Sequence, residues 1–273
     1  MDERPGRPWH VFATYAAAVA GIFATTGIAI ETLHTMYPDV PEATLLGTLP
    51  GLLAGSLAAS TGLLLTLVLV VKPLTPARLR LRPGWETGPA LAVMVIGLLA
   101  LGQALDSLTI VLGLRESQAI VLIRRLLEST AGPDLFGAVV VLGVIAGSAE
   151  EIFFRGYMQS RLREHWPPAA AIVAASTAFA ILHIDISAVH IVLAFVLGLY
   201  LGYIVELTGS ALPAITCHIA NNVLYTLQTA LGVAVPGRRA NLIAAPIAAA
   251  VFVGCVWWLR REARLAPPLP PPE

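Results

Sequence analysis

The chain has 273 residues, of which 57% are hydrophobic, 12% charged and 7% aromatic. This apolar excess lies well outside the range of soluble globular domains and predicts a polytopic membrane protein. The formal net charge is zero, so charge gives no support to a nucleic-acid partner, and we expect none.

Eight apolar segments are long enough to cross a bilayer, if a transmembrane helix needs about 20 residues. They cover 11–31, 45–71, 88–112, 135–158, 168–186, 188–207, 211–231 and 242–259. No small-residue cleavage site follows the first segment, which we interpret as a retained helix and not a signal peptide. The expected fold class is therefore all-α, a polytopic transmembrane helix bundle of about eight spans.

Basic residues in the loops predict the orientation of this bundle. With the N-terminus inside, twelve arginine and lysine residues fall on the inner side and five on the outer side. The N- and C-termini are therefore both expected in the cytoplasm.

A charged segment between the third and fourth spans, Arg115 to Thr130, cannot itself span. It offers a broad apolar face formed by Ile120, Val121, Ile123, Leu126 and Leu127. We interpret it as an amphipathic helix on the outer interface, with an ordinary helical loop as an equal alternative.

The fourth span contains two adjacent carboxylates and an arginine, Glu150, Glu151 and Arg155. Ionisable groups at membrane depth cost roughly 2.5–3.5 kcal/mol each on insertion scales, and they usually mark a functional site. Glu151 and Arg155 are four residues apart and meet on one helix face. Glu150 lies about 100° round the helix. We interpret Glu151 as the partner of Arg155, and Glu150 as the carboxylate available for chemistry.

Two later apolar helices also carry polar groups. Phe179 and His183 share one face of the fifth span, and His218 and Asn222 share one face of the seventh. Taken singly, such groups often serve only hydrogen bonds between helices. Together with Glu150, the two imidazoles and the amide supply a base for water, a proton shuttle and donors for an oxyanion, which are the groups that amide hydrolysis needs.

These motifs resemble the CAAX protease and bacteriocin-processing family, also called the Abi family of intramembrane proteases. The resemblance rests on the three motifs just described, in that order, and on the spacers 195–203 and 208–212. It covers about residues 135–231, roughly the C-terminal half of the chain.

The resemblance implies an eight-helix membrane endopeptidase. In such an enzyme Glu150 and His183 would activate water, while His218 and Asn222 would stabilise the tetrahedral oxyanion. Glu151, Arg155 and Phe179 would support them. The expected organisation is three N-terminal spans with an interfacial helix over 1–134, a catalytic helix core over 135–260, and a proline-rich cytoplasmic tail over 261–273.

Metal dependence is an open question at this level. Glu150, His183 and His218 are candidates for the three protein ligands of a catalytic zinc ion. The His-Glu-x-x-His spacing of common zinc proteases is absent from the sequence, and family proteins have been described both as metalloproteases and as metal-free glutamate proteases. We expect metal-free chemistry with no required cofactor, and we keep zinc as the alternative.

The expected partners are membrane lipids and a protein or peptide substrate that is lipidated or membrane-bound. Sixteen arginines against one lysine suggest a GC-rich bacterial genome, and hence the bacterial inner (plasma) membrane. Two other functions are kept open, a catalytically silent membrane scaffold or regulator, and a proton-coupled transporter that uses Glu150 and His183 as a relay.

With the span bounds given above, Glu150 and His183 would lie at different depths in the membrane. At about 1.5 Å per residue, Glu150 lies about 24 Å from the outer end of its span, and His183 about 22 Å from the inner end of the next. These depths do not coincide in a hydrocarbon core of about 30 Å. We therefore expect a long fourth helix that continues to about Arg163.

Overall fold

A computed structural model describes residues 7–45, 47–114, 118–128, 130–183, 188–233 and 235–265, and all regular structure in these ranges is helical. The first half contains α1 (Pro8–Met36), α2 (Glu42–Leu45), α3 (Leu49–Val70), α4 (Gly88–Val111) and α5 (Gln118–Glu128). The second half contains α6 (Gly132–Leu162), α7 (Pro168–Ile181), α8 (Ala188–Thr208), α9 (Leu212–Ala230) and α10 (Gly237–Leu265).

Six helices of the described ranges are long and apolar enough to cross a bilayer, namely α1, α3, α4, α6, α8 and α10. The all-α polytopic membrane bundle is thus confirmed. The remaining two of the eight predicted spans correspond to α7, which has only 14 residues, and to α9, which has 19 residues but several polar side chains. Helix α7 ends early because the amides of Leu182 and His183 bond to carbonyls only three residues back, which tightens the last turn.

The expectation of a long fourth helix is confirmed, since α6 runs for 31 residues without interruption. Helix α10 continues to Leu265, past residue 261 where the tail is expected to start. The proline-rich residues 266–273 lie outside the described ranges. The charged segment between α4 and α6 does form a helix, α5, although residues 115–117 and 129 of that segment are also outside the described ranges.

Helices α1 and α3 pack closely because glycine brings their backbones together. A Cβ added at Gly62 would lie only 2.6 Å from the backbone nitrogen of Ile22. Near this crossing, the Thr25 hydroxyl donates to the Ala58 carbonyl at 2.7 Å. Small residues that allow such an approach are typical of helix interfaces in membranes.

The buried apolar side chains form two clusters. The first joins α1, α3, α6 and α7, with Phe153 and Phe154 fully buried in it. The second joins α4, α8, α9 and α10 around Met94, Leu98 and Ile204. The polar residues of α6 face the region where α7, α8 and α9 come together.

Helices α6 and α8 are joined by two hydrogen bonds spaced one turn apart. Arg155 Nη2 donates to the Gly198 carbonyl at 3.0 Å, and Gln159 Nε2 donates to the Gly202 carbonyl at 3.0 Å. Neither glycine has room for a side chain, since an added Cβ would lie 3.0 Å from Arg155 Nη2 and 2.8 Å from Gln159 Oε1, respectively.

The loop between α3 and α4 is docked on the end of α8. Glu206 accepts hydrogen bonds from Arg80 at 3.0 Å and from Arg163 at 2.8 Å. The Trp85 indole donates to the Leu207 carbonyl at 2.6 Å. This loop is therefore a structural part of the bundle and not only a connection beside the headgroups.

Candidate active site

The centre of α6 departs from regular α-helical geometry on both sides of the two glutamates. Val139–Ile145 and Ile152–Gln159 are π-helical, and Ala146–Glu151 between them is α-helical. Stretches of π-helix are rare and are found frequently at functional sites. Glu150 and Glu151 therefore lie at the most irregular part of the longest helix in the core.

Glu151 is the central acceptor of the site. Its Oε1 accepts a hydrogen bond from Arg155 Nη1 at 2.8 Å and another from His218 Nδ1 at 2.8 Å. The side chains of Glu151 and Arg155 are both fully buried. The predicted pairing of these two residues is confirmed, but the bond to His218 could not be read from sequence because it joins α6 to α9.

Glu150 has a different environment. Its side chain is 22% exposed, and its Oε2 lies 3.6 Å from His218 Nε2. This distance is too long for a good hydrogen bond, so the carboxylate is not tied to the imidazole. Glu150 is thus the more exposed of the two glutamates, and it faces His218 at close range.

Phe179 connects the polar groups of three helices. The Arg155 guanidinium lies over its ring, with Cζ 4.8 Å from the centroid. The rings of His183 and His218 meet the same phenyl group edge-on, at centroid distances of 4.9 Å and 5.9 Å. The sequence placed Phe179 beside His183 only, whereas in the fold it also packs on the other imidazole and on the buried cation.

His183 lies in the turn that follows α7 and not within a full span. Its Nδ1 is 3.0 Å from the Phe179 carbonyl oxygen. A carbonyl oxygen only accepts, so Nδ1 carries the proton in this bond, and Nε2 of the neutral ring is left as an acceptor. A second imidazole, His190, lies nearby with a ring-centroid distance of 5.4 Å. We missed this neighbour because a histidine near a span end is usually explained by access to the interface.

Asn222 follows His218 by one turn on α9. Its Nδ2 donates to the Leu142 carbonyl of α6 at 3.2 Å, which leaves its second N–H for another acceptor. Asn221 Nδ2 is 3.3 Å from Asn222 Oδ1, and this bond helps to fix which way the amide points.

Two glycines of α6 allow α9 to come this close. A Cβ added at Gly143 would lie 2.6 Å from Val223 Cγ2, and one added at Gly147 would lie 3.3 Å from the Ile219 nitrogen. These glycines therefore serve helix packing, and through it they bring His218 and Asn222 to the glutamates.

The three candidate zinc ligands do not converge in the described part of the chain. Glu150 and His218 approach each other, but no group of three or more His, Cys, Asp or Glu side chains among the described residues is placed to hold a metal ion. Because the residues do not fit a three-ligand site in this arrangement, we derive no step through a metal.

The geometry thus brings Glu150, Glu151, Arg155, Phe179, His183, His218 and Asn222 to one region where α6, α7 and α9 meet. The family model described as type II CAAX prenyl endopeptidase Rce1-like matches residues 132–224, a range that includes all seven. No curated protein and no solved structure matches the chain significantly. Over residues 132–224 the chain is similar to the CAAX protease family of intramembrane endopeptidases, and the three motifs lie in this range in their expected order.

Proposed function

We propose that the protein hydrolyses a peptide bond of a membrane-bound or lipidated protein, using water activated by Glu150 and His183 and an oxyanion site made by His218 and Asn222. The observation that carries the proposal is the pair of contacts at His218. One of its nitrogens is held by the buried Glu151 at 2.8 Å, while the other faces Glu150 at 3.6 Å. A carboxylate that orients an imidazole toward the reacting region is typical of hydrolytic sites.

The hydrogen bond between Glu151 and His218 bears on where His218 carries its protons. Glu151 accepts from His218 Nδ1, so that N–H is already used. His218 donates to an oxyanion from Nε2 only when the ring carries both protons. In that state Glu150 and Glu151 carry two negative charges, and Arg155 and His218 carry two positive charges. The cluster is then neutral, which is the arrangement that a buried set of charges requires.

The steps of hydrolysis follow from these assignments. Glu150 removes a proton from water as the oxygen attacks the substrate carbonyl carbon. His218 and the second N–H of Asn222 donate to the oxygen that becomes negative. The proton that Glu150 took from water then passes through His183, whose Nε2 is free of the Phe179 carbonyl, to the departing amine, and Glu150 returns to a carboxylate. The peptide C–N bond breaks when that amine is protonated.

The substrate class follows from the setting and the family. The matched family model is described by its action on prenylated CAAX sequences, and for this chain we propose a peptide segment of a protein that already resides in or on the membrane. We propose the bacterial inner membrane as the location, on the ratio of arginine to lysine. A cytoplasmic position for both termini would place the cut near the inner leaflet.

The test is cleavage of a fluorogenic peptide library, part of it lipidated, by the purified full chain in detergent. Glu150→Ala and His183→Ala are expected to lower the rate by about 10²–10⁴-fold, the contribution of positioned acid–base groups. Matched controls are Glu128→Ala on α5 and His34→Ala on α1, both exposed in the structure and expected to cleave as wild type.

Parallel reactions with EDTA or phenanthroline test metal dependence. Cleavage that survives chelation supports the metal-free scheme, whereas cleavage restored by added zinc after chelation would overturn it. Equal loss in the candidate and control variants would refute the assignment of the site. Absence of cleavage, combined with solute uptake that depends on a proton gradient and persists in Asn222→Ala, would establish the transporter instead.

A further inference from the structure

A groove of about 360 Å³ lies between α4, α8 and α10, and we name it the α8–α10 groove. Its volume falls at the lower end of ligand pockets, which hold about 300–1,000 Å³. Leu101, Val196, Tyr203, Val253 and Arg260 are among its lining residues. Val253 is 63% exposed, so the groove opens sideways to the surrounding lipid.

The α8–α10 groove is separate from the candidate active site. The Gly198 and Gly202 carbonyls of α8 face α6, where they accept hydrogen bonds from Arg155 and Gln159. The groove lies on the other face of α8, toward α4 and α10. Nothing in the proposed reaction therefore uses it.

One end of the groove is at the level of the lipid headgroups. Arg260 precedes two further arginines on α10, Arg261 and Arg264, and such clusters favour the cytoplasmic side. Trp257, 63% exposed, lies just before them, as expected for a residue of the interfacial aromatic belt. From Arg260 to Val253 the groove extends about 10 Å along the helix, away from that interface and into the hydrocarbon region.

Among the described residues, the polar groups at this end of the groove have no hydrogen-bond or ion-pair partner. The Tyr203 hydroxyl is buried and forms no hydrogen bond within the described part of the chain. The Arg260 guanidinium lies 5.8 Å from the Tyr203 ring centroid, and no described carboxylate pairs with it. A buried hydroxyl without a partner calls for an explanation such as a bound ligand, and an unpaired cation beside it attracts an anion.

We propose that the α8–α10 groove binds one anionic phospholipid of the cytoplasmic leaflet. The phosphate group contacts Arg260 and accepts from the Tyr203 hydroxyl, and one acyl chain lies against the apolar wall formed by Leu101, Val196 and Val253. Basic pockets between membrane helices bind anionic headgroups in this way. The wall beyond Tyr203 offers little to the polar backbone of a peptide, because the Tyr200 hydroxyl in it already donates to the Met94 carbonyl, and this favours an acyl chain.

The test is binding of phosphatidylglycerol with a fluorescent acyl chain to the purified full chain in detergent. Phosphatidylcholine with the same acyl chain and inorganic phosphate are the comparison probes. Arg260→Gln is expected to weaken phosphatidylglycerol binding about fivefold, the effect of one basic residue near an anionic headgroup. Arg261→Gln removes the same charge outside the groove and is expected to change it less than twofold.

A second pair of variants tests the acyl-chain wall. Val253→Phe partly fills the groove and is expected to weaken phosphatidylglycerol binding, whereas Val251→Phe, on the same helix but outside the groove, is not. Equal losses for Arg260→Gln and Arg261→Gln would reduce the effect to surface charge and overturn the proposal. Equal binding of phosphatidylcholine, or displacement by inorganic phosphate alone, would also overturn it. A dimer that dissociates only in Val253→Phe would assign the groove to a second copy of the chain.

Discussion

Replacing Glu151 by glutamine is expected to destabilise the protein severely. The substitution keeps the shape of the side chain but removes the negative charge that pairs with Arg155, and both side chains are fully buried. Removing one partner of a buried ion pair costs about 3–5 kcal/mol, because the other charge is left uncompensated. In the described structure, Arg155 would keep the Gly198 carbonyl, the face of Phe179 and the amide oxygen left by the substitution as contacts, and none of these carries a negative charge.

Replacing the other partner of the pair, Arg155→Met, is expected to lower stability less than Glu151→Gln does. The reason is that Glu151 still has His218 as a donor at 2.8 Å. The double variant Glu151→Gln with Arg155→Met leaves no uncompensated charge from this pair. It is expected to regain at least half of the stability lost in Glu151→Gln, because exchange of a buried ion pair for neutral groups is often nearly free of cost. Peptide cleavage is expected to stay lost, since His218 has no carboxylate to orient it.

The assay is the midpoint of thermal inactivation in detergent, followed by size-exclusion chromatography of the soluble fraction. If 1 kcal/mol shifts the midpoint by about 2–4 °C for a domain of roughly this size, Glu151→Gln should lower it by roughly 6–20 °C. A shift below about 3 °C would refute the reasoning. So would a double variant whose loss equals the sum of the two single losses, because the charges would then not be coupled.

Three further predictions concern separate residues. Glu150→Gln is expected to abolish cleavage while shifting the thermal midpoint by less than about 2 °C, because Glu150 is partly exposed and lies 3.6 Å from His218, too far for a good hydrogen bond; a large shift would make its role structural. Asn222→Ala is expected to lower kcat by about 10²–10³-fold through loss of an oxyanion donor. Asn221→Ala removes only a bond to Asn222 and should lower kcat tenfold or less. Similar losses of kcat in the two variants would contradict the assignment. Gly62→Ala is expected to destabilise the protein by about 1–3 kcal/mol, because the added Cβ would meet the backbone of α1 at 2.6 Å. Gly27 has open space around it, so Gly27→Ala should be neutral or stabilising in the same thermal assay.

The parts of the site that are local in sequence could be predicted from it. Glu151 and Arg155 are one turn apart, so helix geometry alone pairs them. Two of the three contacts of Phe179, those with Arg155 and His218, could not be predicted, because they depend on how α6, α7 and α9 pack. The same holds for Glu206, whose partners Arg80 and Arg163 come from distant parts of the chain.

The end of the fifth predicted span could not be read from apolar composition. The segment 168–186 is apolar enough to span, but α7 stops at Ile181 with tight backbone bonds, a feature that composition does not encode. In contrast, the extent of α6 was predictable, because the depths of Glu150 and His183 agree only if that helix is long.

The paired hydrogen bonds from Arg155 and Gln159 to the glycine carbonyls of α8 fix the register of two helices. A slide of α8 by one residue along α6 would break both bonds together, and each hydrogen bond from a buried donor costs about 1–3 kcal/mol when it is lost. An added Cβ at Gly198 would lie 3.0 Å from Arg155 Nη2, and one at Gly202 would lie 2.8 Å from Gln159 Oε1, so the side chains of α6 reach the α8 backbone only because both residues are glycine. We therefore expect α6 and α8 to behave as a fixed wall of the site, so that admission of a substrate chain is accommodated by the helices opposite that wall.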